Sequence, residues 1–218
     1  MKPAVRPLLK KTLCRLGAST LAALAVMGGS AQAAAAEDDV AIFDMVRSPA
    51  LAAFPNCVPN AKAKVIIQPG GPVETMVVKL EGLPANTGFD LFVIQAPNAP
   101  FGMSWYQGDM ETNQSGKVRQ EFLGRFNVET FIVAPASVPA PVVFNNPPFP
   151  DASANPKTGP IHTYHLGVWF DSPADAIKAG CPGNVTPFNG DHQAGIQVLN
   201  TSNFPDLQGP LSKVVPKP

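Results

Sequence analysis

The sequence predicts an all-β protein, an antiparallel β-sandwich with one short helix and long proline-rich loops. Short segments with apolar residues at every second position, separated by Gly, Pro and Asn, are typical of such folds. The 218 residues include 25 prolines and 18 glycines, which disfavour long helices and favour turns. Thirteen phenylalanines, against two tryptophans and two tyrosines, indicate a buried aromatic core.

The first 36 residues have the pattern of a secretory signal peptide. Five basic residues precede an apolar run at 16–27, and small residues with an Ala-x-Ala ending at 31–33 or 34–36 follow it. The apolar run is shorter than the ~20 residues that a bilayer span needs. We therefore expect a mature chain that is secreted or retained in the cell envelope and has no membrane-spanning segment.

Removal of this leader would make the chain acidic. All 16 acidic residues lie at or after Glu37, whereas five of the 16 basic residues lie in the leader, so the net charge becomes −5. Such a chain lacks the basic surface that neutralises phosphates, and nucleic acid is not an expected partner. Negative charge also disfavours adsorption to anionic lipids.

The chain after the leader is long enough for one domain. Residues 37–63 combine charged residues with three prolines and predict an N-terminal arm. Residues 64–204 carry the strand patterns of the β-sandwich, and residues 205–218 predict a C-terminal tail. Residues 134–160 are dense in proline, and a loop of that length is usually functional or disordered.

Seven or eight strands are expected. The clearest is 76–81, where apolar residues occupy every second position. Residues 82–88 form a Gly/Pro/Asn turn, and residues 89–95 are apolar on both faces, as in a central strand. The other predicted strands are 64–68, 103–106, 118–126, 130–133, 162–170 and 196–199.

The turn after the clearest strand adds detail to the fold prediction. Residues 80–87, with the sequence LEGLPANT, resemble the corner between two strands in fibronectin type III and related immunoglobulin-like domains. The resemblance covers eight residues and concerns the fold alone. It implies an immunoglobulin-like, fibronectin-III-like β-sandwich.

One helix is predicted at about 173–179. Ser172 can cap its N-terminus, and Pro173 suits the first helical position. Gly180 can adopt the left-handed conformation that ends many helices. The helix therefore leads directly to Cys181.

Two cysteines, Cys57 and Cys181, remain after the leader, because Cys14 lies within it. In an exported chain, two cysteines are most simply joined in one disulfide. The alternative is a reactive thiol or a metal ligand, but neither cysteine has a CxxC partner. We expect a structural disulfide between Cys57 and Cys181, stabilising the fold by roughly 4–5 kcal/mol on the chain-entropy model.

The three histidines are candidate metal ligands. His162 and His165 are three residues apart, and His192 could join them together with Asp151 or Asp191. Because the first two open a predicted strand, their side chains should point to opposite faces. The spacing is not that of a zinc or copper site. The simpler interpretation is polar histidines at strand ends and loops, without a cofactor.

Catalytic patterns are weak. Ser104 lacks the Gly-x-Ser-x-Gly elbow that exposes a nucleophilic serine. Asp109 and Glu111 would lie on the same side of a strand, whereas glycoside chemistry needs carboxylates on opposite sides of a cleft. The sequence therefore favours a protein without catalysis.

A cluster of aromatic and polar residues is the best candidate for ligand binding. Aromatic rings beside amide and carboxylate groups are typical of surfaces that bind sugars or peptides. In the alternative interpretation, the tryptophan belongs to the core and the tyrosine is its neighbour at the rim. The candidate residues are Trp105, Tyr106, Gln107 and Asp109.

Several stretches have the character of a family signature: 98–109, 124–126 with 129–133, 164–170, and 187–204. Together they resemble secreted bacterial proteins that are usually described as uncharacterised or hypothetical. The resemblance extends over most of the mature chain. It implies an exported bacterial domain and transfers no catalytic residue.

Three functional hypotheses follow. The first is a secreted, non-catalytic β-sandwich that binds a glycan or a protein surface. The second is a small extracellular hydrolase or metal-dependent enzyme, which requires at least three of the histidines and nearby acids around a common point. The third is a structural subunit of an envelope assembly, which would expose a large apolar patch.

Overall fold

The computed structural model describes residues 40–70, 73–126, 128–129, 161–189 and 192–214. The predicted leader, the predicted strand at 130–133 and the proline-dense segment 134–160 lie outside these residues. Asp151 and Asp191 lie outside them as well.

The described part of the chain is built mainly from β-strands. The strands are β1 (Ala41–Arg47), β2 (Lys62–Gly70), β3 (Val73–Glu81), β4 (Gly88–Ile94), β5 (Ser104–Glu111), β6 (Val118–Gly124), β7 (Val128–Glu129), β8 (Ile161–His162), β9 (His165–Phe170), β10 (Thr186–Asn189), β11 (His192–Ala194) and β12 (Gln197–Asn200). One α-helix, α1 (Pro173–Lys178), and two 3₁₀ turns, Pro49–Leu51 and Pro210–Lys213, complete the described elements.

Eight strands form one antiparallel sheet in the order β5-β4-β9-β12-β1-β2-β3-β6. The two end strands approach each other, since a Cβ at Gly108 of β5 would lie 3.0 Å from the ring of Phe122 in β6. The sheet is therefore nearly barrel-shaped.

The antiparallel β fold with a short helix is confirmed, but an immunoglobulin-like sandwich is not. Alternation along a strand indicates which face is buried, but it does not specify the strand's partners.

The predicted N-terminal arm contains a strand. In β1, Phe43 and Met45 are buried, whereas Ile42 is 61% exposed. β1 pairs with β2 on one side and β12 on the other, so it lies inside the sheet. The segment does not stand out in the sequence because apolar residues occur on both of its faces.

β4 and β9 are buried on both faces, as the sequence predicts for residues 89–95. One face contributes to the main core, whose fully buried side chains include Val65, Ile67, Met76, Val78, Leu80, Phe89, Leu91, Leu166, Val168 and Phe170. The outer face carries a smaller cluster formed by Phe92, Ile94, Trp169 and Ala194, against which Phe101 packs. This second cluster forms one wall of the candidate site.

The loop after β4 is held over this outer cluster by buried amides. Asn200 and Gln197 of β12 donate from their side-chain nitrogens to the carbonyl oxygen of Pro97, at 2.8 and 3.2 Å. The backbone N–H of Met103 donates to Gln95 Oε1 at 2.6 Å. Buried polar groups that satisfy one another in this way fix a loop in one position.

The helix and the disulfide follow the sequence prediction. The Asp175 N–H donates to Ser172 Oγ at 3.1 Å, which caps α1, and Gly180 has a left-handed φ of 73°. Cys57 and Cys181 form a disulfide, which confirms the predicted bond. It joins the turn after β1 to the end of α1. In the described residues, no helix has both the length and the apolar character needed to cross a membrane.

Candidate functional site

Three aspartates converge on the outer face of the sheet. Asp90 lies in β4, Asp109 lies opposite it in β5, and Asp171 directly follows β9. One carboxylate oxygen of each lies within 4.8 Å of those of the other two. Among the described residues, this aspartate cluster is the one group of three acidic, histidine or cysteine side chains close enough to share an ion.

The backbone of three neighbouring strands positions the aspartate cluster. β4 pairs with β5 on one side and β9 on the other. Residues that are far apart in the sequence therefore become lateral neighbours in the sheet. The Asp171 N–H donates to the Gly88 carbonyl oxygen at 3.1 Å. A Cβ at Gly88 would lie 3.1 Å from that of Asp171, so glycine leaves room for the aspartate.

Asp90 is the buried member of the cluster. Asp90 is 1% exposed, and its Oδ2 atom has no hydrogen-bond partner among the described residues. Burial raises the pKa of Asp90 to about 8, and the charges of Asp171 and Asp109 add to the effect. In the absence of a cation, burial and the neighbouring charges therefore favour the protonated form of Asp90 at neutral pH.

Tyr106 connects the cluster to the protein surface. Its hydroxyl donates to Asp109 Oδ1 at 2.5 Å. Burial, followed by the hydrogen bond and the charge of Asp109, raises the pKa of Tyr106 above its ordinary value. The phenol therefore stays protonated and serves as a donor that orients the Asp109 carboxylate.

An aromatic wall, made of Phe92, Phe101, Tyr106 and Trp169, lies beside the aspartates. The ring of Phe92 is 5.6 Å from that of Tyr106 and 5.4 Å from that of Trp169. The Phe101 ring meets Trp169 edge-on at 5.2 Å. Trp169 lies opposite Asp90 in the pairing of β4 with β9, and both residues are buried, which strengthens electrostatic interactions there.

The structure brings together two of the four residues predicted to bind a ligand. Tyr106 and Asp109 lie on the outer face, whereas Trp105 lies opposite Val93 and points to the other side of β5. Gln107 lies at the irregularity in the β4–β5 pairing, and its Oε1 approaches Gly124 of β6. Trp105 is 47% exposed and is not a core residue.

The histidines that the sequence singled out do not converge within the described residues. His165 is buried, with Nδ1 2.8 Å from Thr201 Oγ1 and Nε2 2.9 Å from the Asp206 carbonyl oxygen. Burial lowers the pKa of His165, and both of its nitrogens have protein partners. His162 is exposed and stacks on Tyr164, with ring centres 6.1 Å apart. The position of the His192 side chain is not described, so the histidine metal site stays a prediction.

Asp90 and Asp171 are the site residues that the sequence analysis does not identify. A signal exists for Asp90, because an aspartate inside the apolar segment GFDLFVI must either disrupt the strand or have a special environment. Asp171 gives no comparable signal, since an aspartate after a strand is ordinary turn chemistry. Its proximity to Asp90 depends on the pairing of β4 with β9.

The aspartate cluster and the aromatic wall together can bind polar ligands by charge and apolar ligands by ring contact. The exposed members are Asp109 and Tyr106, and the interior member is Asp90. The side-chain atoms of the aspartate cluster that could bind a cation are all carboxylate oxygens. Comparison with known proteins identifies no relative: no family model, no curated protein and no solved structure matches this chain.

Proposed function

We propose that the protein is a secreted, non-catalytic binding module whose ligand, a glycan or a protein surface, contacts the outer side of β5. The observation that carries this proposal is the exposure of Tyr106, which is 42% accessible although its hydroxyl is fixed by Asp109. Tyrosine and tryptophan are enriched among residues that dominate binding energy.

The surroundings of Tyr106 support this function. Its ring packs against Phe92, which in turn packs against the buried Trp169. An aromatic side chain that is already held in place loses little conformational entropy when a ligand binds. Trp105, on the same end strand, is also exposed, but it points to the other side of β5 and is not part of the proposed surface.

The bond between Cys57 and Cys181 supports the secreted location, because disulfides persist mainly in oxidising compartments. The predicted leader supports it independently. An immunoglobulin-like arrangement rests on the corner at 80–87 alone, and the proposed binding surface does not depend on it.

The hydrolase alternative fits these residues less well. A general acid needs a raised pKa, which Asp90 has, but it must also reach a substrate atom. Asp90 is 1% exposed, so a substrate atom has little access to it. The histidines in the described residues do not provide an acid or base at this point.

Tyr106→Ala tests the binding surface. We expect a screen of the mature chain against glycans and peptides to identify a ligand, and the variant to weaken its binding at least about tenfold, as for a residue of high binding energy. Ile42→Ala is the matched control, because Ile42 is an exposed apolar residue of β1. This variant should bind the ligand with the affinity of the unmodified chain. Equal affinities for the Tyr106→Ala variant and the unmodified chain would contradict the proposed surface.

A further inference from the structure

We propose that Asp90, Asp109 and Asp171 form a binding site for a hard divalent cation, Ca²⁺ in particular. The ion would lie at the base of the ligand surface around Tyr106. This inference rests on the proposed function for the role of the ion, whereas binding of the ion itself can be measured alone.

The spacing of the three carboxylates suits one shared ion. Calcium–oxygen distances are about 2.3–2.6 Å, so two ligands on opposite sides of a calcium ion are roughly 4.6–5.2 Å apart. One carboxylate oxygen from each of the three aspartates lies within 4.8 Å of those from the other two. Each comes from a paired strand or its immediate end, so the backbone of the sheet holds the three carboxylates at one place.

A second observation comes from the interior of the cluster. The Oδ2 atom of Asp90 is buried, and the described residues provide no hydrogen-bond partner for it. Leaving a buried polar atom without a partner is unfavourable, because the atom has lost its hydrogen bonds to water. Asp90 also faces two further carboxylates, and a cation between them would satisfy the buried oxygen.

In the described part of the chain, no basic side chain forms an ion pair with the aspartate cluster. The ion pairs found there join Lys62 and Lys117 to Glu81, Lys64 to Asp44, Arg125 to Glu74, and Lys178 to Asp175. None includes a member of the aspartate cluster. The described residues thus provide no cationic side chain for the acids of the cluster, which lie beside buried aromatic residues.

The donor atoms indicate the class of ion. Carboxylate oxygens without nitrogen or sulfur favour Ca²⁺ or Mg²⁺ over zinc or copper. Mg²⁺ demands near-ideal octahedral geometry, whereas Ca²⁺ accepts irregular sets of six to eight oxygens. The exposed carboxylate of Asp109 can adjust to such an irregular set, and water can complete it.

The ion would also influence the ligand surface. Tyr106 donates to Asp109, so a shift of the Asp109 carboxylate toward the ion changes the position of the phenol. The ligand identified for the proposed binding surface should therefore bind more tightly in Ca²⁺ than in EDTA.

Calorimetric titration of the EDTA-treated mature chain with CaCl₂ tests the site. We expect one ion per chain with a dissociation constant of about 10⁻⁴–10⁻³ M or tighter, the range of extracellular modules. Tb³⁺ should occupy the same site, and its luminescence should be sensitised by excitation of the adjacent aromatic residues. Asp171→Asn should weaken Ca²⁺ binding at least about tenfold, since it removes one charged ligand from the solvent side.

Glu121→Gln is the matched control, because Glu121 is an exposed acid of β6 outside the cluster and undergoes the same chemical change. It should bind Ca²⁺ as the unmodified chain does. Circular dichroism verifies that both variants are folded. Absence of saturable binding up to roughly 10 mM CaCl₂, well above that range, would overturn the inference, and so would unchanged affinity in Asp171→Asn.

Failure of this inference is distinguishable from failure of the proposed function. A ligand that depends on Tyr106 but binds equally in Ca²⁺ and EDTA, together with absent ion binding, overturns the cation site alone. Saturable Ca²⁺ binding that Asp171→Asn weakens supports the site, even when no glycan or peptide binds and the proposed function fails.

Discussion

Replacement of both Cys57 and Cys181 with serine is expected to lower the free energy of unfolding by about 2–5 kcal/mol. The disulfide connects residues that are 124 positions apart, so its loss gives the unfolded chain much more conformational freedom. Both cysteines are buried, and the two hydroxyls would also have to be accommodated in a largely apolar environment.

Urea unfolding at pH 7 measures this effect. With a denaturant dependence of about 2 kcal/mol/M, the midpoint should fall by roughly 1–2.5 M. Reduction of the disulfide in the unmodified chain should lower the midpoint by a similar amount. This experiment is a control for effects of the introduced serine side chains. An unchanged midpoint in both experiments would contradict the structural role of the bond.

Asp90→Asn is expected to stabilise the metal-free protein at pH 8 by about 1–3 kcal/mol, because the folded chain must hold a proton on a buried carboxyl group that the unfolded chain releases. The side chain of Asp90 is buried beside two other carboxylates, and burial raises its pKa to about 8. Asparagine has a similar shape and carries N–H donors for Asp109 and Asp171. The gain should be much smaller at pH 4.

The sign of this pH dependence follows from proton linkage. Below pH 4, Asp90 holds a proton in both the folded and the unfolded chain. Between about pH 4 and pH 8, the unfolded chain loses this proton while the folded chain keeps it, so the stability of the unmodified protein falls as the pH rises. Asparagine does not titrate, and the contribution of Asp90 disappears.

Urea unfolding in EDTA at pH 4, 6 and 8 compares the two proteins. Asp44→Asn is the control, because Asp44 is an exposed acid paired with Lys64, and its replacement should change stability by less than about 0.5 kcal/mol. If Asp90→Asn instead destabilises the protein equally at all three pH values, the prediction is wrong. The Asp90 carboxyl group would then have a favourable partner that the described residues do not show.

Local patterns predict most of the elements correctly. The alternation at 76–81 falls within β3, and the doubly apolar segment at 89–95 falls on β4, which is buried on both faces. The capping residues around α1 are also confirmed. These features depend on neighbours in sequence. The missed strand β1 has apolar residues on both faces, so its period was concealed.

The candidate site is only partly visible in the sequence. Tyr106 and Asp109 attract attention because they are close together in a polar, aromatic segment of the chain. Asp90 and Asp171 are 81 positions apart, and they meet because β4 pairs with β9. No local periodicity specifies that pairing, since strand order is decided by the packing of the whole sheet.

Composition, local periodicity and cysteine count are sufficient to predict the β-rich fold class, the short capped helix and the bond between Cys57 and Cys181. The three-dimensional fold adds two features that these patterns do not predict: eight strands share one nearly barrel-shaped sheet, and three carboxylates meet on its outer face. The physical reason is that lateral pairing between distant strands, and the burial of charge that results from it, depends on non-local packing.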